Sequence, residues 1–261
     1  GGSFVTCWDE RAVLNVTRED IKEWWVEMGG LWKQLRHRDP RRSGWFLQQL
    51  IKILVVNFKH MDLGGHFLVW DADMVLLREM EFMANTKFLL YEADNWKDYV
   101  ADHYLASAAK LLNFKDDPTW PGQQCHDCVS HFMLVNAAHM REMVLEIADG
   151  DASLRGRALA RHIIMKLPKE PEELGGIGKK AWNKARDALS EYTLNAEWLL
   201  YKHPDDVEIV HKAFVRLRFS GMGFGSLTRC NAVSRMRECL AESPERLNES
   251  VPVENLHYIG I

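Results

Sequence analysis

A short apolar segment that is interrupted by two carboxylates constrains this chain more than any other feature. Residues 66 to 80 read HFLVWDADMVLLREM, so Asp71 and Asp73 separate two apolar runs. Carboxylates this close repel each other, and burial costs each of them several kcal/mol unless a positive charge lies between them. The segment therefore predicts a buried strand whose polar end contacts a cation.

The composition is that of a globular protein with an ample core. Of the 261 residues, 47% are hydrophobic and 27% are charged, a balance that excludes a disordered chain. The formal net charge of -4 supplies no overall basic field, so we expect no nucleic acid partner. The apolar stretch LIKILVVNF at 50 to 58 is far shorter than the about 20 residues that a membrane span needs, so no span is expected.

Neither the N-terminus nor the cysteines fix a cellular compartment. GGSFVTCWDE lacks an initiator Met and the basic and apolar regions of a signal peptide, so we expect an artificial or processing boundary there. A cytoplasmic location and, with an upstream anchor, a secretory-pathway lumen both stay open. The five cysteines are too few for a disulfide scaffold. CHDC at 125 to 128 has no second CxxC to complete a zinc site, which favours a local disulfide or two free thiols.

Hydrophobic periodicity predicts helices that alternate with short strands. One helix is expected from its N-cap Thr17 to about Leu35, with a break at Gly29 and Gly30, and a second from near Ser43. Further helices are predicted at about 97 to 113 and 137 to 149, and Ser190 is a good N-cap for a helix that begins at Glu191. Strands are predicted at HFLVW (66 to 70), FLLYEAD (88 to 94) and VSHFMLVN (129 to 136), and a strand pair or extended rim at 207 to 219.

This alternation predicts an α/β fold with a mostly parallel sheet flanked by helices. We expect one domain over residues 1 to 261, of which residues 150 to 261 form a helix-rich portion. Ligands of such sheets bind at the carboxyl ends of the strands, and the DAD segment lies at such an end.

Two kinds of metal chemistry use aspartates at this spacing. On an extended strand end Asp71 and Asp73 project to the same side and can bind one Mn²⁺ or Mg²⁺. In the first, the ion bridges the carboxylates to a nucleotide diphosphate. In the second, Asp71 accepts a phosphoryl group, as in phosphatases of the haloacid dehalogenase type, whose DxDx[TV] pattern DADMV fits. About 70 residues precede the motif and no later GDxxxD pattern follows, which favours the first chemistry.

Four sequence blocks, in order, resemble glycosyltransferases of the GT-A type. They are GWFLQQLIKI (44 to 53), FLVWDADMVLL (67 to 77), VSHFMLVN (129 to 136) and SEYTLNAEWL (190 to 199). The resemblance covers roughly residues 40 to 202 and is closest to a little-characterised bacterial-type group. It implies a GT-A-like sheet and the transfer of a sugar from a UDP- or GDP-sugar to a glycan, lipid or protein acceptor.

The resemblance also implies roles on the donor side. Asp71 and Asp73 would hold Mn²⁺ or Mg²⁺ against the donor diphosphate, and a late histidine, His211 or His203, would be a third metal ligand. Positive charge and amide groups would bind the rest of the donor. The residues implied for that contact are Gln48, Gln49 and Lys52.

On the acceptor side the resemblance implies Ser130, His131 and Tyr192 as binding residues. Glu191 and Asp73 would be catalytic, with Glu191 as the acceptor-binding group or general base. The chain begins at what resembles the second strand of such enzymes, so we expect the usual first strand and its nucleotide-base contacts to be missing or altered. A non-catalytic binding module of the same fold is therefore the alternative from a different functional class.

Overall fold

The computed structural model describes residues 7–58, 63–71, 74–76, 79–93, 101–114, 117, 119–122, 125, 128–169, 188–216 and 258–260, and these form a mixed α/β fold. The helices are α1 (Glu10–Leu14), α2 (Arg18–Met28), α3 (Gly30–Arg38), α4 (Arg42–Leu54), α5 (Ala101–Leu111), α6 (Ala137–Ile147), α7 (Gly156–Lys166) and α8 (Glu191–Lys202). The strands are β1 (His66–Trp70), β2 (Met74–Leu76), β3 (Met83–Ala84), β4 (Lys87–Ala93), β5 (Phe132–Asn136), β6 (Val207–Arg216) and β7 (Tyr258–Gly260).

Helix α2 begins at a reciprocal cap. The Thr17 hydroxyl accepts the Asp20 N–H at 3.2 Å, and the Asp20 carboxylate accepts the Thr17 N–H at 2.7 Å. The helix ends at Gly29, whose φ of 76° lies in the left-handed region that favours glycine, and α3 begins at the next residue. The predicted N-cap and the predicted break are both confirmed.

An aromatic cluster fixes the helix that carries the candidate site. Trp25 of α2 and Trp32 of α3 pack edge-on against Phe46 of α4, with ring centroids 5.2 Å and 5.7 Å away. All three rings are fully buried, and each such pair adds about 0.5–1.5 kcal/mol beyond area burial. The Trp32 indole also donates to the Pro168 carbonyl at 3.0 Å. Helix α4 is thereby held rigidly, and its last turns present Gln49 and Lys52.

The described strands pair in both directions. β1 and β5 are antiparallel, from His66 opposite Asn136 to Trp70 opposite Phe132. In the second sheet, of order β2-β7-β6-β4-β3, the β4–β6 and β6–β7 pairs are parallel and the other two are antiparallel. The prediction of a mixed α/β fold is confirmed, whereas these pairings do not form a mostly parallel sheet, because an apolar pattern identifies a strand without giving its direction.

The antiparallel β1–β5 pair determines which residues meet. The carboxyl end of β1, where Asp71 follows, lies beside the amino end of β5, where Ser130 and His131 precede it. The ladder continues one step past the strands, since the Asp71 N–H donates to the His131 carbonyl at 2.9 Å. Strand pairing therefore brings His131, one of the predicted acceptor residues, next to Asp71.

The remaining predictions about elements are resolved as follows. Cys125 and Cys128 form a disulfide, one of the two states expected for CHDC. Residues 207 to 216 form one strand, β6. Of the predicted helix-rich portion, residues 170–187, 217–257 and 261 lie outside the described residues. Among the helices that the structure describes, none is both long enough and apolar enough to cross a membrane.

Candidate functional site

Lys52 provides the positive charge that was expected beside the carboxylates of the DAD segment. Lys52 Nζ hydrogen-bonds to Asp71 Oδ1 and lies 2.6 Å from Glu191 Oε1 and 3.3 Å from the Tyr192 hydroxyl oxygen. The side chains of Lys52, Asp71 and Glu191 are 10%, 12% and 1% exposed, so the three charges share a site with little access to water. An ammonium group has three N–H donors, and these three acceptors use all of them.

His131 joins this group from the start of β5. Its Nδ1 lies 3.1 Å from Asp71 Oδ2, and because an ionised carboxylate only accepts, Nδ1 is the donor. His131 has a φ of 62°, in the left-handed region that costs a residue with a side chain about 1–2 kcal/mol. Its side chain is 28% exposed, so this imidazole forms the solvent-facing edge of the group.

Glu191 enters the group at the start of α8. Ser190 caps that helix by accepting the Thr193 N–H at 3.3 Å, as predicted. The Glu191 N–H, one of the donors that a helix N-terminus leaves unsatisfied, is accepted by Gln49 Oε1 at 3.2 Å. Glu191 Oε2 is buried and finds no hydrogen-bond partner in the part of the chain that the structure describes.

Burial and charge give the three ionisable groups different proton affinities. Burial raises the pKa of Glu191 from 4.5 to about 7, although the Lys52 ammonium opposes the shift. Burial also acts against ionised Asp71, but hydrogen bonds from His131 and Lys52 lower its pKa below 3.8. For Lys52 burial is outweighed by the carboxylates of Glu191 and Asp71, which raise its pKa. Near neutral pH, Glu191 is therefore the carboxyl that exchanges a proton.

We call this group the Lys52 cluster. It brings together six of the residues that the sequence singled out. They are Gln49, Lys52, Asp71, His131, Glu191 and Tyr192.

Two other predicted residues lie apart from the cluster. Gln48 is exposed on α4, since consecutive helical residues point about 100° apart. The Ser130 hydroxyl is buried and donates to the Phe132 carbonyl at 2.5 Å, which shapes the turn before β5. Neither side chain contacts the cluster within the described residues.

Of the predicted metal ligands, the structure describes the side chains of Asp71 and His203. Asp73 lies outside the described residues, and His211 belongs to β6 but its side chain lies outside them too. Each oxygen of Asp71 already contacts a donor, Lys52 or His131, yet a carboxylate oxygen has two lone pairs. Asp71 thus keeps the capacity to bind a divalent ion beside Lys52. His203, the other proposed third ligand, lies 3.0 Å from Glu142 in a separate polar group.

Lys52 and Glu191 were both predicted as site residues, whereas their ion pair was not predicted. A signal was present, because Lys52 is the one cation in the apolar run LIKILVV, and a buried lysine requires carboxylate partners. His139, which lies beside His203 and Asp206, was not predicted either. His203 and Asp206 flank a proline on one tight turn, but this spacing gives no indication of His139.

The chemistry available to the Lys52 cluster is acid–base chemistry next to a fixed positive charge. One carboxyl exchanges protons near neutrality, one ammonium is held between carboxylates, and one imidazole is open to solvent. Such a set can take a proton from a substrate and offset negative charge on it. Comparison of the chain with protein-family models, with curated proteins and with solved structures gives no match, so the function is inferred from this geometry.

Proposed function

We propose that the protein is a metal-dependent glycosyltransferase that moves a sugar from a UDP- or GDP-sugar to the hydroxyl group of an acceptor. The observation that carries the proposal is the Lys52 cluster, in which side chains from three of the four GT-A-like blocks meet the aspartate of the fourth. A GT-A-like sheet is part of the same proposal.

The donor diphosphate would lie at the Asp71 end of the cluster. Mn²⁺ or Mg²⁺ on Asp71 and Asp73 would offset the charge of the leaving nucleoside diphosphate. The Lys52 ammonium would also offset the negative charge of the leaving diphosphate. Its longest contact, 3.3 Å to the Tyr192 hydroxyl, is the one that a phosphate oxygen would replace most easily. Gln49 holds the first residue of α8 in place, so its role is to position Glu191.

The acceptor would enter past His131, the partly exposed side chain of the cluster, whose ring centroid lies 6.3 Å from that of the buried Tyr192. The acceptor's hydroxyl oxygen forms the new bond to the sugar carbon, while the bond from that carbon to the diphosphate oxygen breaks and the electron pair leaves with the nucleotide. The hydroxyl proton passes to Glu191, whose Oε2 is unpartnered among the described residues. A pKa of about 7 makes Glu191 a base that functions at neutral pH.

Glu191→Gln tests this role against a matched control. Glu197 lies on the same helix and is also 1% exposed, but its carboxylate accepts the Cys125 N–H instead of contacting the Lys52 cluster. Release of UDP or GDP from a panel of nucleotide sugars is measured with Mn²⁺ and mixed acceptors. We expect Glu191→Gln to lower kcat by about 10²–10⁴-fold, while Glu197→Gln stays close to the native rate. Equal losses in both variants would contradict a proton-transfer role.

Titration of UDP and GDP in the presence and absence of Mn²⁺ tests the donor site without requiring the right acceptor. Nucleotide binding that needs Mn²⁺ and disappears in Asp71→Asn supports the proposal. Phosphate release from simple phosphomonoesters, without a sugar acceptor, would instead identify a phosphatase. That alternative is less favoured because about 70 residues precede the DAD motif and no later GDxxxD pattern follows it. Nucleotide binding with no turnover of any donor would identify a binding module.

A further inference from the structure

A second polar cluster combines two histidines with one aspartate. His139 Nε2 lies 3.6 Å from Asp206 Oδ2, and His203 Nδ1 lies 3.9 Å from the same oxygen. The two imidazole rings stack with centroids 3.8 Å apart and planes 11° apart. One ligand atom from each of the three residues lies within 4.8 Å of the other two. Together with Glu142, we call these residues the His139 cluster.

The His139 cluster is distinct from the Lys52 cluster. Asp71 and His131 meet just past the end of the β1–β5 pair where Trp70 faces Phe132. His139 lies in the first turn of α6, which begins directly after Asn136 at the opposite end of that pair. Five residues of strand at roughly 3.3 Å each separate the two ends by about 17 Å. One ion cannot serve both clusters.

Three separate elements position the ligand atoms. His139 is on α6, His203 is the C-cap of α8, and Asp206 ends the short 3₁₀ turn Pro204–Asp206 that leads into β6. The His139 side chain is 17% exposed and that of His203 is 20% exposed, whereas Asp206 is 49% exposed. The cluster is thus reachable from solvent on the side of Asp206 and backed by protein on the side of the imidazoles.

We propose that His139, His203 and Asp206 bind a zinc-class transition-metal dication. A tetrahedral site with metal–ligand bonds of about 2.0–2.2 Å spaces its donor atoms about 3.4 Å apart, so the 3.6 Å and 3.9 Å to Asp206 need to shorten by only a few tenths of an ångström. Because an imidazole binds a metal in the plane of its ring, one of the two stacked rings must also turn when the ion binds. Two imidazoles with one carboxylate favour such an ion over Mg²⁺ or Ca²⁺, which prefer oxygen ligands. Three protein ligands leave a fourth position for water.

One further contact fits this ligand set. Glu142 Oε2 lies 3.0 Å from His203 Nε2, the ring nitrogen opposite the one that faces Asp206, and a carboxylate at that place orients a metal-bound histidine. The ion would join α6 to the end of α8 and the start of β6, and would therefore stabilise the folded chain.

Metal binding to the full chain, stripped of metal with a chelator, is the first test. We expect about one Zn²⁺ per chain at equilibrium dialysis and a rise of several degrees in the thermal midpoint. Co²⁺ in its place is expected to give visible d–d bands of a tetrahedral nitrogen and oxygen site without a thiolate charge-transfer band. A Co²⁺ spectrum dominated by thiolate, or no retained metal, would overturn the proposal.

Variants then locate the ion. Asp206→Asn removes a half-exposed ligand with little risk to folding and is expected to weaken Zn²⁺ binding on the order of 100-fold, as is His139→Gln. Glu142→Gln is expected to weaken it by about 10–100-fold. His162→Gln is the matched control, because His162 also faces one carboxylate, Asp149 at 3.3 Å, but no second imidazole.

The same series separates this site from the proposed glycosyltransferase site. Asp71→Asn should leave Zn²⁺ affinity unchanged within about twofold, since Asp71 lies at the other end of the strand pair. Loss of Zn²⁺ binding in Asp71→Asn, with full binding in Asp206→Asn, would refute the assignment and place the ion at the DAD segment. Midpoints measured in EDTA verify that each variant is folded.

Discussion

The two ends of the β1–β5 pair carry polar clusters whose carboxylates are stabilised in different ways. The Lys52 cluster is deeply buried, with Glu191 1% exposed, and it contains its own cation. The His139 cluster is half-open, with Asp206 49% exposed, and its two imidazoles bring no permanent charge. A buried carboxylate requires a partner that is always present, whereas an open one is stabilised by water until an ion arrives. Burial, more than residue type, decides which cluster includes a lysine.

Lys52→Met is expected to have the largest effect, and it tests whether burial makes the lysine of the Lys52 cluster essential for stability. The variant leaves the Asp71 and Glu191 carboxylates buried without their cation, so we expect a loss of about 3–5 kcal/mol in the free energy of unfolding, measured with urea. Lys166→Met is the matched control, because Lys166 is 15% exposed but its partner Asp149 is 52% exposed. That loss should stay below about 1 kcal/mol. Similar losses in both variants would show that burial does not distinguish the pairs.

The pH dependence of stability gives a second test, because it reports the protonation of the buried Glu191 carboxyl. The pKa of Glu191 is raised from 4.5 in the unfolded chain to about 7 in the folded one. The folded state therefore binds more protons between these values, and this contribution, fully present below pH 4.5, is lost as the pH rises through 7. The slope reaches about 1.4 kcal/mol per pH unit at most.

Glu191→Gln should remove that slope, and Glu197→Gln should retain it. Urea unfolding at pH 5, 6, 7 and 8 measures the difference between each variant and the native chain. Because the pKa of Asp71 is lowered, its own contribution is lost only as the pH falls below 3.8, outside this range. A slope that survives Glu191→Gln would locate the raised pKa on another residue.

A smaller effect is expected at His131, where the backbone itself is strained. His131→Gly and His131→Ala both remove the contact with Asp71, so their difference reports the φ of 62° alone. We expect the glycine variant to be about 1 kcal/mol more stable. The same pair at His162, inside α7, should show the opposite order by about the same amount. Thermal unfolding measures the stability of each variant. An alanine variant of His131 as stable as the glycine variant would argue against backbone strain at this position.

Asp206→Asn in metal-free buffer should have the smallest effect. Its side chain is half exposed and its nearest imidazole nitrogen is 3.6 Å away, so we expect a change within about 0.5 kcal/mol. Unfolding in EDTA measures it. A loss of several kcal/mol would mean that the His139 cluster is held together by fixed charges, as the Lys52 cluster is.

Interactions within four residues were predictable from the sequence. The cap of α2 at Thr17, the break at Gly29 and the cap of α8 at Ser190 each depend on neighbours along the chain, and each is confirmed. Strands β1 and β5 were both predicted, but their antiparallel pairing was not, because a pattern of apolar residues carries no information about direction. The expectation that β1 is buried was wrong, since its residues are exposed or half-buried and Leu68 is 42% exposed.

Contacts between distant residues were predictable only in part. The GT-A-like blocks supplied Lys52 and Glu191, which are 139 residues apart. A lone lysine in an apolar run indicated that a carboxylate partner exists, but not which carboxylate it is. His139 had no local signal at all, since its partners come from the end of another helix and the following turn. Which of Gln48 and Gln49 faces inward depends on the rotation of α4, and that rotation is set by the packing of Phe46.

The bond from the Trp32 indole to the Pro168 carbonyl bears on how this protein can be shortened. It connects the third helix to the segment after α7, across 136 residues, and lies beside the ring of Phe46. A chain shortened to the GT-A-like blocks, from residue 40 onwards, would lose Trp25 and Trp32, which pack on Phe46. The buried face of α4 would then be exposed to water. Fragments meant for activity or crystallisation should therefore retain the first three helices, since α4 is the helix that holds Lys52.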